Sequence, residues 1–458
     1  MRHLKHYLPT TTLQGLLARR TGVALAATLA LTPAWAFDLR QAYEAAEQND
    51  ATIRSARAGA AGMREKLPQA LAQRRPNVTF NAGGNRNSLK TTSETVIGPR
   101  SSENAYSSNN QVLQLRQPIY RPYLGALEAQ ARAQVEGADA LLENDEQSLV
   151  LRVSEAYFDA LLARAQRDLV AAQKLTYTSQ LDAATKSFRA GAGMRTDIDE
   201  AQARVDMALA QELEAAQHVE FTRQRLQVLV GKPFDALADI DVVNFRPLPP
   251  SPASLAEWTA LAEAANPELR SLQAQVDAAA REIEKNQAGH KPTLDAVAGW
   301  SRSDSDSVSN VNTVYNQKFI GLQLSVPLYA GGYVNSTVRQ AVAEHERMRE
   351  LLEAGRRDLG ARVFEQYRAM TEGVLRVAAL EQAVRSAELA LQSSRKSLAA
   401  GVRTTVDVLN AEQQRTLAAR DLAQARYQYL LSRIRLHALA GHDRWVNVDQ
   451  ANANLAPR

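Results

Sequence analysis

The sequence predicts a mainly α-helical chain with a smaller β component, built as two copies of one unit. Three observations predict it. First, Lys186-Ser187, Ala190-Gly191 and Asp197 recur 210 residues later as Lys396-Ser397, Ala400-Gly401 and Asp407. Arg152, Val153, Glu155 and Tyr157 recur at the same offset as Arg362, Val363, Glu365 and Tyr367. Nearer the start of each half the offset is 216, pairing Ile53-Arg54-Ser55 with Leu269-Arg270-Ser271 and Pro76 with Pro292. Second, Leu124 to Ala190 and Tyr333 to Ala400 contain no proline and are rich in Ala, Gln, Glu, Arg and Leu. Third, each half holds a pair of segments in which apolar and polar residues alternate, the period of a strand.

The first 36 residues read as a signal peptide. Arg2, Lys5, Arg19 and Arg20 make a basic start, Val23 to Leu31 is a short apolar run, and Ala34-Trp35-Ala36 has the small-x-small pattern of a cleavage site. The run is too short to span a bilayer. Removing the leader's four basic residues from the chain's 54 leaves 50, equal to the 50 Asp and Glu. A neutral mature chain gives no support to a nucleic-acid footprint. The chain has no cysteine, which rules out a disulfide scaffold, a thiolate metal site and a lipid-bearing N-terminal cysteine. After the leader no stretch of 18 apolar residues occurs, so a membrane crossing would have to use strands.

The domain reading is a signal peptide over 1–36, a first repeat over 37–245, a proline-rich linker over 246–253, a second repeat over 254–441 and a tail over 442–458. Each repeat reads helix, strand, loop, strand, long helix, turn, return helix. Leu39 to about Leu67 is helical in composition, and Pro68 should end or kink it. Pro76 opens a strand with Val78, Phe80 and Ala82 in alternation. A polar loop is expected from Asn85 to Asn110, then a strand to Tyr120 with Leu113, Leu115 and Ile119 on one face. In the second repeat Leu294, Ala296, Ala298 and Trp300 share one side of a strand. A Ser/Asp/Asn loop is expected over Ser301 to Asn312. Ile320, Leu322, Leu324, Val326 and Leu328 alternate in the closing strand.

The long helices, about 67 residues each, would span roughly 100 Å. The return helices, Thr196 to Val230 and Val406 to Ala440, are about half that, as are the opening helices. One opening helix stacked end to end on one return helix would flank each long helix. Leu149, Val153, Ala156, Ala160 and Ala163 form a coiled-coil stripe. Phe158, Leu162, Ala165 and Leu169 form a second on another face. A helix with two seams suits the wall of a cylinder. Pro247, Pro249, Pro250 and Pro252 make a stiff linker between the repeats. The tail after Gly441 is expected to be loose.

Four strands cannot close a barrel, and an open edge is not tolerated in hydrocarbon. If the strands span a membrane, several chains must share one barrel: two would give eight strands, three would give twelve and an aqueous lumen. Phe80, Tyr120, Tyr123, Trp300, Tyr315 and Tyr329 fit interfacial girdles.

The tip of the second helical hairpin, Leu398-Ala399-Ala400-Gly401-Val402-Arg403-Thr404-Thr405-Val406-Asp407-Val408-Leu409-Asn410-Ala411, resembles the signature of the TolC family of outer-membrane efflux and secretion channels. Its first copy runs from Phe188-Arg189-Ala190-Gly191 through Thr196-Asp197-Ile198 to Ala201. Gln117-Pro118-Ile119-Tyr120 and Val326-Pro327-Leu328-Tyr329 look like the family's strand-to-helix junctions. The resemblance covers essentially the whole mature chain. It implies a TolC-like α-helical coiled-coil barrel in the periplasm joined to a trimeric 12-stranded β-barrel in the outer membrane of a Gram-negative bacterium. It implies a homotrimer embedded in outer-membrane lipid, working with a periplasmic adaptor and an inner-membrane ABC or RND transporter. The function implied is export of proteins, small toxic compounds or both. No cofactor, metal or nucleic acid is implied. Thr196, Asp197, Arg403, Asp407 and Asn410 fall at gate positions of the tunnel tip, and Gly191 and Gly401 at hairpin tips where an adaptor docks. A gate tyrosine common in the family is Leu398 here. A second acidic ring position is Asn410, leaving Asp407.

Read without the resemblance, Gly191 and Gly401 are helix-ending residues with positive φ, and Asp197 and Asp407 are N-caps of the return helices. The alternative reading of the whole chain is a periplasmic adaptor or a structural coiled-coil protein of an envelope complex. An enzyme is disfavoured. His437 and His442 are five apart rather than the i, i+4 pair of a helical zinc site, and Gly331-Gly332 lacks the Lys-Ser/Thr of a phosphate loop.

Overall fold

The computed structural model describes residues 36–306 and 312–456. The expected leader lies outside these residues except for Ala36. In chain order the first repeat comprises α1 (Leu39–Asn49), α2 (Ala51–Arg64), α3 (Lys66–Ala72), β1 (Asn77–Thr95), β2 (Gly98–Tyr120), α4 (Pro122–Arg189) and α5 (Arg195–Val230). A two-residue strand, β3 (Asp239–Ile240), precedes the linker. The second repeat comprises α6 (Leu255–Ala265), α7 (Pro267–Gln287), β4 (Thr293–Asp306), β5 (Asn312–Ser325), α8 (Tyr333–Ala399) and α9 (Thr405–Leu439). The chain closes with α10 (Arg444–Asn452) and β6 (Leu455–Ala456).

The opening helix of the first repeat is three helices rather than one. Asp50 ends α1 and caps α2, accepting the Ile53 N–H at 2.9 Å. A carboxylate that bonds its local backbone competes with helix continuation. Arg152 holds the other oxygen at 3.0 Å. The second break follows from Pro68: its ring clashes with the carbonyl four residues back, and α2 ends at that residue, Arg64. Pro68 itself sits in the first turn of α3, where no N–H is needed.

The repeat is visible in the hydrogen bonds. Asn266, 216 residues after Asp50, caps α7 by accepting the Glu268 N–H at 2.9 Å. Its amide nitrogen donates to Leu439 O at the end of α9, 3.0 Å away. In the first repeat Asn49 donates to Val228 O and Leu229 O at the end of α5. Each break in an opening helix therefore sits on the exposed carbonyls of a return helix. That contact makes the end-to-end column. α4 packs beside α5 and the column above it, and α8 packs beside α9 and α7. Tyr157 repeats too. Its hydroxyl meets Phe37 O and Ala238 O at 2.9 and 2.7 Å, and the Tyr367 hydroxyl donates to Ala253 O. The stripe of Leu149, Val153, Ala156, Ala160 and Ala163 is buried, as is Phe158 of the second stripe.

The four long strands form one antiparallel sheet in the order β1-β2-β4-β5. Here the sequence reading is corrected. The expected polar loop Asn85 to Asn110 is a continuous hairpin paired from Asn77↔Arg116 to Thr95↔Gly98, with only Val96 and Ile97 in the turn. β4 likewise runs on to Asp306 and β5 begins at Asn312. The rest of that expected loop lies outside the described residues. Strands with water on both faces show no apolar alternation, so period alone misses them.

The tail is also corrected. Asp443 caps α10 through the Trp445 and Val446 N–H groups, and Asn447 donates to Ile434 O at 2.9 Å. β6 pairs with β3, and Asn452 Oδ1 accepts the Leu39 N–H. The tail fastens the start of the fold to its end. The linker is held by Tyr429, whose hydroxyl accepts from Leu248 N and donates to Leu248 O, both at 2.8 Å.

Tyr157→Phe leaves two buried carbonyls without this partner and should cost about 1–3 kcal/mol. Tyr367→Phe, at a half-buried site, should cost less. Denaturant unfolding of the detergent-solubilised protein compares the two.

Candidate functional site

The two helical hairpins end in matching turns. Gly191 and Gly401 have φ of 73° and 76°, a left-handed conformation that glycine adopts without Cβ strain. Gly191 N–H bonds Phe188 O at 2.9 Å and Ala192 N–H bonds Ser187 O at 3.0 Å. Gly401 N–H and Val402 N–H repeat this on Leu398 O and Ser397 O. These bonds satisfy the last carbonyls of each long helix. Gly193 is needed for a different reason: a Cβ there would lie 2.9 Å from Phe188 N.

Asp197 and Asp407 are not N-caps, as the sequence suggested, but third residues of their helices. Each reaches back to the cap. Asp407 Oδ2 accepts from Thr404 N–H at 2.9 Å and from the Thr404 hydroxyl at 2.8 Å, and Thr404 Oγ1 accepts the Asp407 N–H at 3.3 Å. Asp197 Oδ2 accepts the Met194 N–H at 3.3 Å. Met194 makes no side-chain cap bond, so the first hairpin has half of the reciprocal pair. The Thr404 backbone N–H, the Thr404 hydroxyl and nearby Arg403 hold the Asp407 carboxyl below its ordinary value. The N-terminal position also favours a negative charge.

Within one chain the expected gate residues do not meet across the hairpins. Arg403 donates to Ser394 Oγ at 2.6 Å, within its own hairpin. Thr196 lies exposed at the tip. The link between hairpins runs instead through Arg204 of α5. It donates to Gln413 Oε1 at 2.8 Å and Asn410 Oδ1 at 3.1 Å on α9, and pairs with Glu200 at 3.2 Å. Asn410 is thus brought into a tie, and Arg204 was missed in sequence. The available signal was a Glu-Arg i, i+4 pair facing two amides spaced i, i+3. Beside the tie Tyr177, Ala208 and Leu409 form a small buried cluster. Glu412, almost fully buried, is held by Arg395 and Arg415, both at 3.1 Å.

The sheet supplies the other half of a passage. Directly paired residues share a face, so the register sorts the side chains. Val78, Leu115, Ala298 and Ile320 form one cross-strand row, and Phe80, Leu113, Trp300 and Lys318 the next. The opposite face carries Asn81, Gln114, Arg116, Gln317 and Gln323. One face is apolar and exposed; the other is mainly polar, with Val112, Val297 and Phe319 among its residues, the pattern of a membrane barrel wall. At the helix end of the polar face Asp295, 1% exposed, takes Arg116 at 2.6 Å. Arg121, at the start of α4, reaches it at 2.5 Å. That knot joins two strands to a long helix. Among the described residues, no helix is long and apolar enough to cross a membrane.

His437 and His442 contact through their Nδ1 atoms at 2.9 Å against Trp258. Burial, then His442 and Arg433, push His437 down to about 4. It is a neutral packed ring at physiological pH.

A family model described as outer membrane efflux protein matches residues 42–232 and 258–442. The alkaline protease secretion protein AprF of Pseudomonas aeruginosa is 35% identical over 410 residues, covering 89% of this chain and 85% of that protein. The proteases secretion protein PrtF of Dickeya chrysanthemi is 32% identical over 428 residues, covering 92% of each. The solved structure of CusC superposes with a TM-score of 0.76 over 88% of this chain and 92% of that one, at 15% identity, a likeness of fold.

A carboxyl depressed in the folded tip stabilises it above the ordinary value of about 3.9, and the contribution is lost as pH falls through the folded value. Amide exchange at Thr404 and Asp407, corrected for intrinsic pH dependence, should therefore rise on acidification below the ordinary value. In Asp407→Ala it should be raised at neutral pH and show no such step.

Proposed function

The chain belongs to the outer membrane efflux protein family, and from that membership we propose that this outer-membrane channel-tunnel carries secreted proteins as the last member of a three-part export system. The observation that carries the reading is the pair of open edges. β1 and β5 are the unpaired edges of a sheet whose outer face is apolar. In the hairpins α4 contacts α5 and α9, and α9 contacts α8, so α5 and α8 are the outer helices. Met207, Phe221 and Val228 are exposed on α5, and Phe364, Leu375 and Leu389 on α8. Both layers thus offer unlike edges at their two sides, the requirement for head-to-tail closure into a ring. Three chains give twelve strands, enough for an aqueous lumen. The polar inner face suits a water-filled duct that excludes little by chemistry.

The cargo reading rests on two near full-length relatives named for protease secretion. It makes an inner-membrane ABC transporter and a periplasmic adaptor the partners. Small toxic compounds, with an RND transporter, are the second reading, favoured by the efflux description of the family model. Gly191 and Gly401, at the hairpin ends, are the adaptor's docking positions. Cross-linked co-purification from whole envelopes decides between them: an ABC protein supports the first reading, and an RND protein alone overturns it.

The closed tip is held by two kinds of tie. Arg204 joins the hairpins of one chain. Arg403, exposed and using one of its donors on Ser394, has donors left to reach Thr196 or Asp197 of a neighbouring chain. Asp407 and Asn410 line the entrance. Each tie is worth about 1 kcal/mol or less at a wet site. Arg204→Ala and Arg403→Ala should each shift the open-to-closed ratio by up to about five-fold, and the pair should shift it further. Single-channel recording in planar bilayers reads this as raised conductance or longer openings. Wild-type traces from both variants would remove the gate from the tips.

A further inference from the structure

The lipid-facing side of the sheet carries two cations that make no ion pair among the described residues. Arg302 on β4 and Lys318 on β5 are exposed. Among the described residues neither makes an ion pair, whereas Arg116 on the lumen face is bound to Asp295. The register places the two cations together. Trp300 pairs with Lys318 and Arg302 with Asn316, so Arg302 and Lys318 are diagonal neighbours on one face, about 7–8 Å apart.

Their depth is equally defined. Along β5 the outward residues Leu324, Leu322 and Ile320 are apolar, and Lys318 is the first that is not. Along β4 the outward series is Leu294, Ala296, Ala298, Trp300 and then Arg302. The other ends of these strands lead to the helices, so the cations stand at the rim away from the tunnel, Lys318 in the row of the girdle tryptophan Trp300 and Arg302 one row beyond it. That is the level of phosphates in the outer leaflet of the outer membrane.

Beside Arg302 the wall is hollow. Gly83 and Gly84 bring no side chains, and a polar recess of about 480 Å³ opens there. Ala82 and the two glycines floor it; Asn109, Gln111, Arg302 and Asp304 wall it. Asp304 lies one row farther from the apolar band than Arg302, in the row of Gly84 and Asn109. The site therefore offers two cations at phosphate depth and amide and carboxylate groups above them, where sugar hydroxyls would lie. We propose that Arg302, Lys318 and the Gly83-Gly84 recess bind a phosphorylated glycolipid of the outer leaflet, phosphates on the cations and sugar in the recess. The proposal rests on the outer-membrane reading.

The test uses the intact oligomer in phosphatidylcholine nanodiscs doped with diphosphorylated lipid A, with the same lipid dephosphorylated, or with phosphatidylglycerol. Native mass spectrometry counts retained lipid. Diphosphorylated lipid A should be retained best. Each cation beside an anionic lipid is worth about five-fold, so the double variant Arg302→Gln, Lys318→Gln should lose about thirty-fold in retention. Arg86→Gln, two rows above Arg302 on the same face, should lose little. Equal retention by wild type and double variant overturns the site. Equal retention of phosphatidylglycerol overturns the glycolipid assignment. Conductance in planar bilayers is recorded for both proteins. Channels from both with no lipid discrimination refute the site alone, while no channel from the wild type refutes the outer-membrane reading beneath it.

Discussion

A strand in hydrocarbon must have all its backbone groups paired, because no water is present to bond them. This chain brings a four-stranded sheet with two bare edges, and the rest of the molecule follows from that deficit. The edges must meet edges of other copies. The helices below must then form a ring of the same symmetry, and they do so by leaving α5 and α8 as their own unlike borders. The two rings are locked in phase at Asp295, where Arg116 from the sheet and Arg121 at the N-cap of α4 share one buried carboxylate. An unpaired carboxylate so deeply buried would be costly. The knot is therefore satisfied only when strand and helix keep their relative position.

Duplication solves the second geometric problem, the length of the wall. A helix of 68 residues needs a neighbour along its whole length, and each unit supplies it as two shorter helices in series. The weak point of such a column is its internal joint, where four carbonyls and four N–H groups face one another unpaired. Asn49 and Asp50 in one repeat divide the task, one serving the carbonyls and the other the N–H groups. In the second repeat Asn266 does both alone. An amide can donate and accept, whereas a carboxylate only accepts, which is why the first repeat needs two residues for what one does in the second.

Much of this was legible beforehand. The long helices, the return helices and the apolar strand segments stand where periodicity placed them, except that β5 ends at Ser325 and leaves Val326 and Leu328 outside the strand. The failures share a cause. Asn85 to Asn110 reads as loop because both of its faces are polar, so the hairpin it forms on itself leaves no apolar alternation. The tail reads as loose because its helix is short and is held by Asn447 on Ile434 O and by β3, contacts invisible in a linear pattern. Asp197 and Asp407 read as N-caps but stand three positions inside their helices: an acidic residue at the third helical position reaches back to the cap, and composition alone does not separate the two. Arg204 was passed over because its partners, Asn410 and Gln413, are more than 200 residues away and uncharged.

In the gate proposed above, the Arg204 tie determines how the tip would move. Each turn is closed by a left-handed glycine and by an aspartate bonded back to the cap, so the hairpins are stiff at their ends. Stiff hairpins cannot open by unwinding; they must turn against one another. The compliance then lies in what joins them near the tip, which among the described residues is the Arg204 guanidinium, held by two neutral amides and by Glu200, beside the small apolar cluster of Tyr177, Ala208 and Leu409. A carboxylate in place of Asn410 would bind Arg204 more strongly and resist such movement. In that proposed gate the neutral residue would make a tie directional enough to define a closed arrangement and weak enough for a docking protein to displace. The two hairpins are also unequal, since Thr404 completes its cap and Met194 does not. Movement should accordingly be carried by the first hairpin against a firmer second one.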